Sequence, residues 1–463
     1  MIRTNEIEIM KLHINFFDVF QDAEDFRFKG INLSKYYYDL FALKTSLGDI
    51  DSSAINNWNP HEFLKRPYLV ATGLVKWISI LLTVRHKTIF FGNENRIIEE
   101  NGTRFDLYNY KIIRAIGDEK VLVMQDRHDK ITGKVFTPNL VIDDLTPFLF
   151  LLEKFFSIIS GKEIFRFRSN LEKNIAHIGF SKKVFTAKLL KFYTRYLFYL
   201  FFLKVIKPKS AILICHYSKH AFIAACKRLG IPTFELQHGL ITPSHGIYNL
   251  PKIPKKYKTS FINFVLPDFL AVYGQYWREV AMKGGLFPSR AIVTIGDYLK
   301  IETGNKQPVS SGKKTILISS QAPVQGQIIK YIRFLQANLD PTSWRVIVKP
   351  HPIEKDNAYQ EVAKSGLLEV SHDDIYRLLQ HAEVHISVYS TVLYEAVRYD
   401  LVNYCLYVEA FREHCDEILA SHVARRLDQG ILPAICRKKD KGCSFKYYFD
   451  AFHPEIFLRI LES

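Results

Sequence analysis

From about residue 315 onward, short apolar, β-branched runs alternate with stretches of helical spacing. The runs fall at 315–319, 345–348, 368–370, 384–388 and 402–408, and the helical stretches at 327–338, 354–364, 373–381, 391–399 and 411–427. Strand and helix alternating at this spacing predict parallel βαβ units and a doubly wound sheet. The middle of the chain repeats the pattern. Residues 211–215 read as a strand, 219–229 as its helix and 232–236 as the next strand; a loop rich in Pro and Lys follows. Further strands are expected at 269–273 and 292–295, with a helix over 276–283. Before residue 200 the pattern is weaker: 88–91 and 121–125 read as strands and 147–159 as a buried helix.

The segment 187–206 is rich in Leu, Phe and Tyr but carries Lys188, Lys191, Arg195 and Lys204. Those charges are too many for a membrane span. It reads as a long core helix, or as a basic aromatic helix touching an inner leaflet. A polar Gly/Pro/Ser stretch at 303–312 reads as a linker, and 446–461 as an aromatic helix. The expected fold class is therefore α/β, with two Rossmann-like doubly wound domains facing across a cleft. The expected boundaries are 1–305, 306–440 and a C-terminal helix over 441–463 that packs back on the first domain.

Length agrees with two domains, because 463 residues exceed one comfortable core. Hydrophobic residues at 48% exclude general disorder. A net charge of +16, from 63 Lys and Arg against 47 Asp and Glu, expects anionic surroundings: phosphorylated donors, acidic glycans or the inner face of a membrane. Nucleic acid is not expected as a partner, since no zinc-finger spacing, helix-turn-helix or RNA-binding signature is present. Six scattered cysteines with no CxxC pair read as reduced thiols, and the N-terminus lacks a signal-peptide core. Both expect a cytoplasmic location, with peripheral attachment at the inner face of the cytoplasmic membrane as an extension of it.

Two motifs carry the chemistry. Gln237-His238-Gly239 follows the 232–236 strand, where a glycine lets backbone approach a ligand and an imidazole can act as general base or hold phosphate. Lys349-Pro350-His351-Pro352 follows the 345–348 strand. A cation and an imidazole there can bind phosphate oxygens and stabilise a departing nucleotide, while the prolines restrict the backbone on both sides. Ser390-Thr391 opens a helix after the 384–388 strand, a position that favours anions, and Glu395 lies one turn further on. His216 and His245 fall near the first motif and are second-rank candidates. No metal site is expected: Asp49-Ile50-Asp51 stands apart from the motifs, and Asp143-Asp144 and Asp373-Asp374 read as helix starts.

Taken together, Leu236-Gln237-His238-Gly239, Lys349-Pro350-His351-Pro352, Asp374-Ile375-Tyr376-Arg377-Leu378-Leu379 and Ser390-Thr391-Val392-Leu393-Tyr394-Glu395-Ala396 resemble the GT-B glycosyltransferases of bacterial capsule and lipopolysaccharide assembly. The likeness is to the capsule proteins that transfer Kdo and sialic acid. Gly274 to Gly296 looks like the GT-B passage into the second domain, and the resemblance covers roughly 207–407. It implies a metal-independent enzyme, without a cofactor, that moves a sugar from a nucleotide-sugar donor, CMP-linked donors included, to a polysaccharide or lipid-linked glycan acceptor. It places Lys349, His351, Pro352, Ser390, Thr391 and Glu395 on the donor side, and His238 with Gln237 and Gly239 on the acceptor side. A CDP-glycerol-type glycerophosphotransferase carries comparable motifs and is the alternative. A sugar-nucleotide epimerase would show Asp-Ser-Gly-Gly where this chain has Tyr389-Ser390-Thr391-Val392. A non-catalytic glycan-binding subunit is disfavoured by the presence of Lys349, His351, Ser390 and His238 together.

Overall fold

The computed structural model describes residues 27–47, 75, 77–79, 87–92, 97–100, 103–125, 134–135, 139–171, 181–242, 247–248, 265–299, 312–351, 354, 357–363, 367–399, 401–434 and 445–462. Seven strands form the first sheet: β1 Thr88–Phe91, β2 Val121–Gln125, β3 Asn139–Val141, β4 Ala211–Leu213, β5 Thr233–Leu236, β6 Phe269–Val272 and β7 Ile292–Thr294. Their order is β7-β6-β5-β4-β1-β2-β3, and every neighbouring pair is parallel. The second sheet comprises β8 Lys314–Ser319, β9 Trp344–Lys349, β10 Leu368–Val370, β11 Val384–Ser387, β12 Val402–Leu406 and β13 Arg425–Leu427. It runs β10-β9-β8-β11-β12-β13, again all parallel. Each sheet thus grows outward from its first strand in one direction and then reverses, the order of doubly wound Rossmann folds. The chain has the expected α/β architecture of two such sheets.

Buried positions explain these elements. Thr88, Ile89, Phe90 and Phe91 of β1 are all buried, as are all five residues of β12, the continuous burial that parallel strands covered on both faces require. The helices used below are α1 Ser34–Leu47, α2 Thr146–Ile159, α3 Gly161–Asn170, α4 Lys182–Ile206, α5 His220–Leu229, α6 Gln275–Gly284, α7 Thr391–Glu395, α8 Arg412–Ala420 and α9 Pro454–Glu462. Helix α4 contains the aromatic segment and settles its reading. Phe185, Leu189, Phe192, Tyr196, Tyr199, Phe202, Leu203 and Ile206 are buried at helical spacing, and α4 packs on α5 and α2. Its main apolar face belongs to the core.

Four expectations change. The helix expected over 446–461 is interrupted: a short helix Phe445–Tyr448 and α9 flank a non-helical stretch that bonds to the backbone of Tyr273 and Ile295. The helix expected over 411–427 stops at Ala420, because His422 takes a left-handed backbone (φ +57°) and closes the turn. Arg425–Leu427 then pairs with the open edge of β12 and adds a sixth strand. The helix expected from residue 354 begins at Asn357, because Glu354 is engaged with the backbone of His351. The helix at 147–159, expected to be buried, leaves Leu151, Phe155, Ile158 and Ile159 exposed. The 303–311 linker residues, the Pro/Lys loop over 249–264, Asp49-Ile50-Asp51, His245 and Pro352 lie outside the described residues.

The two halves meet at a compact junction. Arg398, after α7, pairs with Asp297, after β7, and its guanidinium lies 4.7 Å from the Phe445 ring centre. Burial pushes the Asp297 carboxyl upward, and the charges of Arg398 and Lys111 offset this only in part. Nearby, the Tyr276 and Tyr394 hydroxyls are 3.3 Å apart and Trp277 packs on Tyr394 at 4.7 Å. The C-terminal segment runs along the first sheet: Asp450 N–H donates to Tyr273 O at 3.0 Å, and His453 N–H to Ile295 O at 2.8 Å. Two glycines permit this approach. A Cβ on Gly296 (φ +85°) would sit 1.8 Å from Ala451 O, and one on Gly274 2.4 Å from Tyr448 O.

Inside the second sheet, fully buried His385 has a readable tautomer. The Asn403 amide nitrogen donates to Leu393 O and Val423 O, so its oxygen faces His385 Nδ1 at 2.7 Å and must accept. Nδ1 therefore carries the proton, and Ser319 Oγ donates to Nε2 at 2.8 Å. Burial lowers the imidazole from 6.5 to about 4. Its stabilising contribution is then complete above about pH 6.5 and lost as the pH falls toward 4, a difference of about 3 kcal/mol. Imidazole ¹⁵N NMR is expected to show a neutral, Nδ1-protonated His385 ring at pH 5. Gly296→Ala is expected to lower the unfolding free energy by roughly 2–4 kcal/mol in urea titrations.

Candidate functional site

Strand β5 ends at Leu236, and the next three residues are held from several sides. Gln237 is buried: its side-chain oxygen accepts from Tyr273 N–H at 3.1 Å, its amide donates to Gly239 O at 3.1 Å, and its own N–H donates to Ala271 O at 2.9 Å. It is a strut that fixes the loop to the end of β6. Tyr108 OH donates to His238 O at 3.1 Å. Among the described residues a Cβ built on Gly239 would meet nothing within 4 Å, so no contact there demands a glycine.

The His238 ring is half-buried, and its neighbours orient it. Tyr248 OH donates its single proton to Glu235 Oε1 at 2.8 Å, and burial holds that phenol well above its ordinary range. Tyr248 oxygen can therefore only accept from His238 Nδ1, 3.4 Å away. In the neutral ring this makes Nε2 the acceptor, 3.1 Å from Cys215 Sγ and 3.5 Å from the Tyr217 hydroxyl. A neutral imidazole with an accepting Nε2 is the state a general base needs. Cys215 reaches this position from the end of β4 in a left-handed conformation (φ 61°, ψ 66°), which is uncommon for a residue with a side chain.

Beneath the ring lies a fully buried polar network. His216 Nδ1 is 2.7 Å from Glu235 Oε2, and His220 Nε2 is 2.9 Å from Asp39 Oδ2. Asp39 also pairs with Lys35, whose ammonium donates to Ile247 O at 3.2 Å. Burial alone would raise the Asp39 carboxyl, but Lys35 and His220 more than offset it and hold it low. Glu235 is likewise held low: burial opposes ionisation, and His216 with the Tyr248 hydroxyl outweighs it. His216 is thus an interior support of His238, completely buried, and not a group on the open edge. Nothing in the sequence pairs residues 35 and 39 with 216, 220 and 235. Their one local signal is the Lys35/Asp39 spacing of one helical turn.

On the second sheet, Lys349 closes β9 and its ammonium donates to His372 O at 2.9 Å. His351 is exposed; its N–H donates to Glu354 Oε2 at 2.6 Å, and Glu354 N–H donates back to His351 O at 2.8 Å. Glu354 Oε1 in turn accepts from Ser320 Oγ at 2.8 Å and Tyr359 OH at 3.0 Å. Ser390 and Thr391 are half-buried, and Ser390 Oγ caps α7 by accepting from Val392 N–H at 3.3 Å. Helix α7 has five residues before it tightens into a 3₁₀ turn, so its dipole is short. Gln321 bridges the point where strand order reverses: its side-chain oxygen accepts from Tyr389 N–H at 3.1 Å and its amide donates to Tyr389 O. Glu395 is buried at the junction between the halves. Glu354 and Gln321 were not singled out from the sequence; Glu354 had a signal, a carboxylate three residues after His351, as in a capping box.

The two motif groups are connected through the backbone between them. Gln237 touches Tyr273, the next turn carries Tyr276, and Tyr276 meets Tyr394 of α7, whose cap is Ser390. Among the described residues no cluster of three or more His, Cys, Asp or Glu side chains could hold a metal ion, and Asp374 caps the helix Ile375–Gln380.

No family model matches the chain, and no curated protein matches it. Solved structures do. The UDP-GlcNAc 2-epimerase of Methanocaldococcus jannaschii is similar at 12% identity and TM-score 0.47, over 81% of this chain and 99% of that one. The 2-epimerase of Neisseria meningitidis bound to UDP-GlcNAc is similar at 11% and 0.42, over 74% and 88%. The lipopolysaccharide outer core galactosyltransferase WaaB is similar at 11% and 0.38, over 80% and 98%. At such values the strand order, and not the likeness, carries the fold assignment.

Removing Asp39 strands a buried ammonium, so Asp39→Ala is expected to cost roughly 3–5 kcal/mol of stability. Because the Asp39 and Glu235 carboxyls are depressed in the folded state, the stability they contribute is present above about pH 4.5 and lost on acidification below it. Urea midpoints between pH 5 and 3 are expected to fall less steeply in Glu235→Gln than in the parent.

Proposed function

We propose that the chain is a metal-independent glycosyltransferase acting on a nucleotide-sugar donor and a polysaccharide or lipid-linked glycan acceptor. One observation carries this reading. Gln237-His238-Gly239 on one sheet, and Lys349-Pro350-His351-Pro352 with Ser390-Thr391 on the other, stand at carboxyl ends of parallel strands. Open α/β folds bind ligands outside these ends, and Ser390-Thr391 follows β11, where the strand order of the second sheet reverses. The motif resemblance to Kdo- and sialic-acid-transferring capsule proteins supports CMP-linked sugars as the donor class.

In this mechanism Lys349, exposed His351, and the Ser390 and Thr391 hydroxyls hold the donor phosphate, with Glu354 fixing the His351 backbone. His238 accepts the proton of the acceptor hydroxyl on Nε2 as that oxygen bonds to the anomeric carbon. The anomeric carbon–phosphate oxygen bond breaks, and its electron pair leaves on the nucleotide phosphate, where Lys349 and His351 stabilise it. Gln237 and Gly239 keep the His238 loop in place, and Glu395 supports α7 from within.

Thermal-shift measurements against CMP, CDP, UDP, GDP and dTDP test the reading. A nucleotide at a hundred times its dissociation constant stabilises by about 2.7 kcal/mol. His351→Ala is expected to weaken nucleotide binding about tenfold. His238→Ala is expected to lower turnover by roughly 10²–10⁴-fold with nucleotide binding retained. The mass added to the acceptor separates sugar transfer from the phosphoglycerol transfer of the alternative. If none of the five nucleotides shifts the melting temperature, or if both variants behave as the parent, the assignment fails.

A further inference from the structure

Helix α2 (Thr-Pro-Phe-Leu-Phe-Leu-Leu-Glu-Lys-Phe-Phe-Ser-Ile-Ile) is apolar around most of its circumference, yet the fold covers only one side. Leu149 is buried, and Phe156 packs 6.1 Å from the Tyr193 ring of α4. On the other side Phe148, Leu151, Phe155, Ile158 and Ile159 are exposed. At 3.6 residues per turn these five share an arc of about 100°. Phe165 of the following helix α3 is exposed as well.

Basic residues border this face. Between 146 and 170 the chain carries Lys154, Lys162, Arg166 and Arg168 against Glu153 and Glu163, and Glu163 is engaged by Lys29 at 2.8 Å. Two of the cations lie along the aromatic rings: Lys154 Nζ is 5.4 Å from the Phe150 centre, and the Arg168 guanidinium 5.0 Å from that of Phe165. Long cationic side chains that run beside apolar rings and keep their heads in water are suited to a bilayer interface.

We infer that α2, with the start of α3, rests on an anionic lipid surface. Ile158 is 82% exposed and Leu151 66%, so these side chains stand proud of the surface and do not line a groove for a peptide. A two-fold pairing with a second copy would set the basic rim against itself. An anionic bilayer instead meets the apolar arc with its acyl boundary and the rim with its headgroups. Among the described residues no helix is long and apolar enough to cross a membrane, and the contact inferred is that of a helix lying on the surface. The contact is assigned to α2 and not to α4, whose main face is internal. It is independent of the donor-binding reading.

The test is sedimentation of the full chain with phosphatidylcholine vesicles, with and without phosphatidylglycerol, at low and raised salt. The parent is expected to bind the anionic vesicles, less so as salt rises, and to bind the neutral ones weakly. The triple variant Leu151→Glu/Phe155→Glu/Ile158→Glu is expected to lose anionic-vesicle binding by at least about tenfold. Its melting temperature and nucleotide-induced shifts should stay those of the parent, which separates this inference from the proposed function. Lys162→Gln/Arg166→Gln should reduce the preference for anionic over neutral vesicles. The inference is overturned if the parent ignores both vesicles, or if the triple variant binds them equally well. A parent dimer that the triple variant converts to monomer also overturns it, since the face would then belong to self-association.

Discussion

The pairing of Arg398 with Asp297 sets how the two sheets of this protein are held. Asp297 follows the last strand of the first sheet, Arg398 follows the cap helix of the second, and both side chains are largely buried. A guanidinium enclosed by two phenylalanines cannot return to water without opening the junction, and an isolated buried charge is costly. The same point receives the C-terminal segment, because Asp297 N–H donates to Asp450 O and Lys111 donates to Asp297 O. Ion pair, aromatic lid and returning chain together tie the two sheets to each other at this point. Gly274 and Gly296 are what allow the returning chain so close.

The candidate site is asymmetric in its supports. His238 is backed by charges that never reach the surface, and those charges settle which ring nitrogen carries the proton. The second-sheet motif is exposed and is shaped through its backbone, with Glu354 and Gln321 closing hydrogen bonds across adjacent loops. This division suits a site in which one half needs a defined proton acceptor and the other needs accessible cations and hydroxyls.

Much of this was legible along the chain. Strands β8, β9, β10 and β11 fall where period and β-branching place them, since each is short, is built around apolar and β-branched residues, and is followed by helical spacing. Gln237-His238-Gly239 and Lys349-Pro350-His351-Pro352 were visible as polar groups immediately after such strands. Other elements were not legible, for identifiable reasons. Arg425–Leu427 has little strand character of its own and becomes a strand because β12 offers an open edge. The burial of α4 and the exposure of α2 could not be separated by composition, since both are rich in Phe and Leu.

Local sequence therefore determined which segments become strands and helices and which chemical groups follow them, because periodicity and backbone preference act over a few residues. Only the tertiary structure decided what those groups do to one another. Lys35 and Asp39 lie some two hundred residues before Glu235, and their place under His238 comes from packing a helix against the sheet, information no local window contains. The side of α2 left uncovered was decided in the same way: an apolar helix carries no mark of which face its neighbours will reach.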